Sequence, residues 1–353
     1  MGPAYSLPYE DNVSSRAIHW NLNIQQQIGG ESLLTVGYAG NRANHLISVG
    51  DLNIPRAAWN GRSLEIPNSN GTTATVGLNN PVWPSILLFG NNTNSFYNSL
   101  QTTYQKRFSE GFQAAVSYTW SKNLAGADSG QTGGGVSGGG GRQKVPYEPA
   151  AQWGLSGYHF KHAFSFNYSY DIPLGQGKSG ILGAVLSGWR TTGGLSAKSG
   201  QPLNLTSTVP TAMTALAVNP RSPNLSPTFS GEIIVDEGRN PDRYFDVNAY
   251  TAPRTFEFGN LGRNTMIGPG SVTWNPSVSK RTSITEGVSL EFRTEFFNVL
   301  NRANFGPPAG SLFNGSARTT PEQELTGRTA SAGTINSTQN TSRQIQFALK
   351  LLW

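Results

Sequence analysis

The sequence predicts an all-β protein: an antiparallel transmembrane β-barrel, partial, with about nine meander strands in an open curved sheet and long extracellular loops. Three observations carry this. Apolar and polar residues alternate with period two through segment after segment. Charged residues make up only 13% of the chain and glycine fills 42 of its 353 positions, against roughly 25% charged and ~7% glycine in an ordinary soluble domain. Finally, the connections between segments alternate between short and long, as periplasmic turns and extracellular loops do. A soluble sandwich has no reason to alternate so regularly.

Composition removes several other classes. Hydrophobic content is 36%, and no apolar run approaches the ~20 residues a spanning helix needs. A barrel passes this test because only every second strand residue faces lipid. With no cysteine, disulfides, thiolate metal sites and a Cys nucleophile drop out. The net charge of +6 comes from scattered Lys and Arg rather than a stripe, so no nucleic-acid partner is expected. The opening residues MGPAYSLPYEDNVSS contain no basic segment followed by an apolar core and do not form a secretory signal. If the protein is exported, its start is expected to lie outside this chain.

The elements follow in order. Ile18, Trp20, Leu22, Ile24 and Ile28 define a strand over 17–28, and Gly29-Gly30 turns it into a second, which ends near 41. Residues 42–95 hold many Asn, Gly and Pro without a period and are expected to be one loop. Strands over 96–108 and 112–121 come next, separated by Ser109-Glu110-Gly111. The loop after them contains GQTGGGVSGGGG (130–141), which lacks the Lys-Ser/Thr ending of a phosphate-binding loop and reads as flexible linker. A strand over 164–172, a connection 173–185, a weaker strand over 186–199 and a Pro-rich aperiodic segment 200–270 lead to strands over 271–282 and 286–298. After a loop 299–340, the closing stretch Thr341 to Trp353 alternates Ile345, Phe347, Leu349, Leu351 and Trp353 against Gln344, Gln346, Ala348 and Lys350.

Polarity assigns the faces. Val288, Leu290, Phe292 and Phe296, with Val116, Tyr118, Trp120, Phe164 and Phe166, are expected to meet lipid, and Glu291, Arg293 and Glu295 to form a charged row in the lumen. Placing Arg293 in lipid at midplane would cost roughly 2–4 kcal/mol, which fixes the register. Lys106 and Lys280 share the apolar parity but lie beside short turns, where a long side chain reaches the headgroups. Tyr118, Trp120, Tyr168, Tyr170 and Trp189 suit an aromatic belt at the membrane interface.

Four stretches, FYNSLQTTYQKRFSEGFQAAVSYTWSKN (96–123), FSFNYSYDIPLG (164–175), GNLGRNTMIGPG (259–270) and SLEFRTEFFNVLNRANFG (289–306), together resemble the C-terminal barrel half of TonB-dependent outer-membrane receptors. The Oar-like receptors common in Acidobacteria are the nearest subgroup. The resemblance spans nearly the whole chain and implies a 22-stranded barrel with an N-terminal plug. It further implies import of a scarce nutrient, energy delivered by the TonB system through the plug, and a terminal strand recognised by the barrel-insertion machinery. Its implied partners are outer-membrane lipid and the missing plug and N-terminal barrel strands. No plug and no TonB box are found in residues 1–353, and the first and last strands both descend, so nine strands cannot close an ordinary up-and-down barrel. The chain is therefore expected to be the C-terminal part of such a barrel.

Other sites are weak. His159 and His162 are three apart and would point to opposite faces of a strand. Asp236, Glu237, Asp242 and Asp246 lack calcium-loop spacing and read as a solvated loop. No nucleophile elbow, zinc-protease helix or paired catalytic carboxylates occur, so neither enzyme activity nor a cofactor or metal is expected. The alternatives are a passive channel assembled from several chains and a soluble secreted β-rich binding module.

Overall fold

A computed structural model of the chain describes residues 5–8, 13–51, 86–126, 153–175, 177–208, 222–252, 259–314 and 327–353. Nine long strands build one wall: β1 (Arg16–Ile28), β2 (Ser32–Asp51), β3 (Ile86–Ser109), β4 (Phe112–Ala125), β5 (His162–Ile172), β6 (Trp189–Lys198), β7 (Ser271–Ser283), β8 (Ser289–Phe297) and β9 (Gln344–Leu352). Each pairs antiparallel with its predecessor in the chain, so spatial order equals sequence order. Two short strands, Tyr5–Pro8 beside β3 and Gly154–Leu155 beside β4, complete the sheet. β1 and β9 are its edges.

The strands alternate apolar and polar because each residue step flips the side chain to the other face. At the Glu110-Gly111 hairpin both turn residues have positive φ (49° and 78°), the backbone that a two-residue turn needs to follow strand twist. The other short connections run through Gly29–Glu31, 173–188 and 284–288.

Five sequence expectations need correction. β2 runs to Asp51 and β3 begins at Ile86, so the aperiodic 42–95 is in part strand. At 20 and 24 residues these strands exceed the ~9–11 needed to cross a bilayer. Beyond the bilayer no lipid selects one face, and pairing continues without alternation. A bulge near His45 (φ 58°) interrupts the ladder there. The expected strand at 186–199 starts only at Trp189, since the seven residues Gly180–Leu186 form a helix of about two turns, α1. Val288 lies outside β8: its N–H bonds back to the Thr285 carbonyl in the turn. Trp353 likewise follows the end of β9. The Gly tract 130–141 lies outside the described residues.

The largest correction concerns 200–270 and 299–340. These two connections fold together around a hydrophobic core that includes Leu205, Tyr244, Phe245, Tyr250, Met266, Leu312 and Phe313. Phe245, Leu312 and Phe313 are fully buried. Short ladders stitch the unit: Thr206–Thr208 with Ser311–Asn314, Asn224–Leu225 with Tyr250–Thr251, and Pro202–Leu203 with Met266–Ile267. Its apolar residues follow neither the 2.0 nor the 3.6 period, because they converge from separated short segments.

Candidate functional site

The pairing register determines which residues share a face, since directly opposed residues of antiparallel strands project together. Ile24 faces Val36, Val36 faces Thr102, Thr102 faces Tyr118, Tyr118 faces Phe164, and Phe164 faces Ala197. The chain of pairs continues through Val272 on β7. On the last three strands Lys280, Phe292 and Leu349 are opposed, as are Thr282, Leu290 and Leu351. One face thus collects Ile18, Leu22, Ile24, Trp120, Phe292, Ile345, Phe347 and Leu349, all exposed. Leu22, Ile24, Phe347 and Leu349 show 66–69% of their surface. Val116, Phe166 and Leu195 lie on it too, as do Phe296 and Ile345. Rings stack along it at Phe166–Tyr168 (5.3 Å), Tyr118–His162 (6.1 Å) and Phe292–Phe347 (6.2 Å).

The opposite face is mainly polar. Asn23, Gln25, Gln101, Gln105, Gln113, Ser117, Ser165, Asn167 and Ser277 follow one another across the wall. Its charges concentrate on β5 to β9. Asp171 accepts both guanidinium nitrogens of Arg190, Arg281 opposes Glu291, and Glu291 opposes Lys350. Within β8, Arg293 donates to Glu291 at 2.6 Å and lies 3.7 Å from Glu295. The three residues of the expected row therefore form one ion-paired set on the polar side.

At the end carrying the short turns, Lys106 pairs with Glu31 at 3.2 Å. Hydrogen bonds from Ser109 and Lys106 hold the Glu31 carboxyl below its usual range. The Lys280 ammonium donates to the Ala184 and Ser187 carbonyls at 2.6 and 2.9 Å, and the Trp189 indole donates to Val185 O. Both side chains belong to the apolar face, so α1 is tied to that side of the wall. There it shows Ile181, 85% exposed.

At the opposite end, side chains clamp the folded connections onto the strands. Arg263, 4% exposed, donates to the Ala125 and Leu155 carbonyls. Asn304 donates to Val272 O and accepts from Val272 N–H. Asn298 (φ 50°) donates to the Arg302 and Thr341 carbonyls. These asparagines and Arg263 were not identified as site residues in the sequence, although they stand in the two resemblance stretches 259–270 and 289–306. Tyr244 donates to Ile267 O, and burial pushes the Tyr244 and Tyr250 hydroxyls up to about 12. His159, 6% exposed, accepts from Asn123 N–H through Nδ1. Burial, then the charges of Lys122 and Lys161, lower its pKa.

His162 bonds the Tyr118 hydroxyl at 2.7 Å and is on the apolar face. Of the acidic loop residues, Asp246 pairs with Arg243 at 2.5 Å and Glu237 with Arg239. Among the described residues no cluster of three or more His, Asp or Glu is arranged to hold a metal.

A sheet with one bare apolar face, one polar face, and short turns at one end alone has no place in water: nine strands of it define a membrane-spanning β-barrel protein. Residues 3–346 match the family described as outer membrane beta barrel domain. The chain belongs to that family and resides in the outer membrane, which sets aside the soluble secreted module. The family is described as a membrane barrel, not as an enzyme. No curated protein matches the chain. Among solved structures, the outer membrane transporter YddB from Escherichia coli is 10% identical with a TM-score of 0.44, covering 98% of this chain and 33% of its own. The pyoverdine outer membrane receptor FpvA from Pseudomonas aeruginosa PAO1 is 9% identical with a TM-score of 0.37, covering 96% and 30%. The FpvAI–pyocin S2 complex is 10% identical with a TM-score of 0.37, covering 96% and 27%. The chain spans about a third or less of each.

Proposed function

We propose that the chain is the C-terminal barrel portion of a TonB-dependent outer-membrane transporter of the Oar-like subgroup, importing an unidentified nutrient through a lumen that a plug gates. One observation carries the reading. Nine antiparallel strands leave β1 and β9 at the two edges running in the same direction, both toward the short-turn end. Two such strands cannot pair antiparallel with each other, and edge N–H and C=O groups left bare in hydrocarbon cost several kcal/mol each. Further strands between them would pair both edges. A long insert of that kind is what a much larger barrel supplies, and the polar face with its Glu291, Arg293 and Glu295 set then lines the lumen.

The test is extraction of the protein from outer membranes in mild detergent, followed by planar-bilayer recording and by nutrient uptake in cells with and without TonB. A plugged transporter shows no steady conductance, and its uptake stops without TonB. Steady conductance from a ring of identical chains would instead establish the passive channel.

A further inference from the structure

The connection between β5 and β6 is longer than its hairpin needs. Ile172 and Trp189 are opposed in register, yet the sixteen residues 173–188 join them. The Glu110-Gly111 turn does the same work with two. The extra length holds α1, whose seven residues GILGAVL carry no charge. At 3.6 residues per turn, Ile181, Leu182, Val185 and Leu186 fall on one side, within an arc of about 140°. All four are exposed, Ile181 at 85% and Leu182 at 67%. Gly183 lies on the other side and is buried, and a Cβ there would strike the Lys178 carbonyl.

The C-terminal end of α1 shows which solvent it meets. The last four carbonyls of a helix have no partner within it, and in water they hydrate. In α1 protein donors take three of the four: the Ser187 N–H and hydroxyl donate to Gly183 O, Lys280 Nζ to Ala184 O, and Trp189 Nε1 to Val185 O. Lys280 also donates to Ser187 O and stands 5.4 Å from the centre of the Trp189 ring. A helix end needs such saturation where hydrocarbon, not water, surrounds it. Lys280 and Trp189 are opposed to each other, and to Phe292 and Ile172, on the apolar face. The helix therefore hangs from the lipid side of the wall, beside the short-turn ends of β6 and β7. Its other end suits water: Ser179 makes no capping bond through its side chain, and Lys178 before it is exposed.

We propose that α1 is an interfacial anchor, its outward side seated among the upper acyl chains of phospholipids in the periplasmic leaflet and its N-terminal end at the headgroups. The occupant is lipid rather than a second protein for two reasons. The stripe continues the apolar face through Trp189 and Lys280, and the carbonyls at its root are already closed off from water. Seated this way, the helix holds the short-turn ends of β6 and β7 at a fixed depth. The proposal rests on the assignment of the apolar face to lipid.

Residues 1–353 contain no cysteine, so single cysteines can report position by position. The test uses protein extracted from outer membranes in its native assembly, carrying Leu182→Cys, Lys178→Cys or Phe347→Cys. Each is labelled with a small fluorophore and placed in vesicles of phosphatidylcholine brominated either near the headgroup or near the chain ends. At Leu182 the shallow bromines should quench strongly, and the deep bromines and aqueous iodide weakly, since an interfacial helix sinks its apolar side roughly 5–10 Å. Lys178 should be quenched by iodide instead. A Leu182 label that iodide quenches as it does Lys178 overturns the anchor, with α1 standing in water. A Leu182 label shielded from both quenchers overturns it in favour of a protein cover. Phe347, 67% exposed on β9, reports on the face itself. If bromolipid quenches Phe347 but not Leu182, the anchor alone fails; if it quenches neither, the lipid assignment fails with it. Heat-modifiable folding of each variant is read on the same samples.

Discussion

Phe166 offers the sharpest mutational contrast. It is the fifth of the eleven residues of β5, close to the middle of the membrane, and sits between Val116 and Leu195 on the apolar face. Its neighbour Asn167 is exposed on the polar face, opposite Ala115 and Gly194. Phe166→Arg places a guanidinium at midplane in lipid and costs about 2–4 kcal/mol. At 1.4 kcal/mol per factor of ten, the folded fraction falls by roughly 30- to 700-fold relative to unfolded. Asn167→Arg adds the same side chain one residue later, into the lumen, beside a glycine that leaves room. Its cost should stay within about 0.5 kcal/mol, as for other substitutions into solvent. The assay is urea unfolding in lipid vesicles, followed by the heat-modifiable band on gels. A smaller cost for Phe166→Arg than for Asn167→Arg would refute the assignment of faces.

Three further outcomes follow from the same geometry. Arg293→Met removes a half-exposed ion pair and should lower stability by no more than about 1 kcal/mol in urea titration, the range of such pairs. Arg263→Ala should leave the strands intact but free the folded connections, read as new proteolytic cuts within 222–252 and 259–270, because a buried multiply bonded side chain is lost. His159 has a folded pKa below that of the unfolded chain, so its contribution is complete above about pH 6.5 and is lost as pH falls through the folded value. The protection of Asn123 N–H, its exchange rate taken relative to the intrinsic rate at each pH, should therefore fall between pH 7.5 and 5, and His159→Gln should flatten that dependence.

How much of this was legible in the sequence depends on where lipid presses on the chain. Within the membrane each side chain answers to one of two solvents, and Val116, Tyr118, Trp120, Phe164, Phe166, Leu290, Phe292 and Phe296 declare the period directly. Beyond the membrane that constraint stops. The upper parts of β2 and β3 pair without alternation, so their sequence reads as loop. The same holds for the core around Phe245, Leu312 and Phe313, whose members come from stretches as far apart as Leu205 and Ile335 with no common period. The α1 helix was hidden by its own composition, since GILGAVL is apolar all round and only Ser187-Gly188 separates it from Trp189. The clamps Arg263, Asn298 and Asn304 gave a faint signal: Gly-Arg-Asn and closely spaced asparagines are turn formers, and their partners are backbone carbonyls that no sequence pattern marks.

The proposed barrel portion requires β1 and β9 to pair with strands beyond these nine. Hydrogen exchange on the protein in native outer membranes tests it most directly, by comparing Gln344–Leu352 and Arg16–Ile28 with the interior strand His162–Ile172. Within the present wall each edge strand is paired on one side only. With partner strands on their outer sides, both inward- and outward-pointing amides of the edges should exchange as slowly as those of β5. If alternate amides along β1 and β9 exchange fast while β5 stays protected, the edges are bare and the barrel portion proposed here is contradicted.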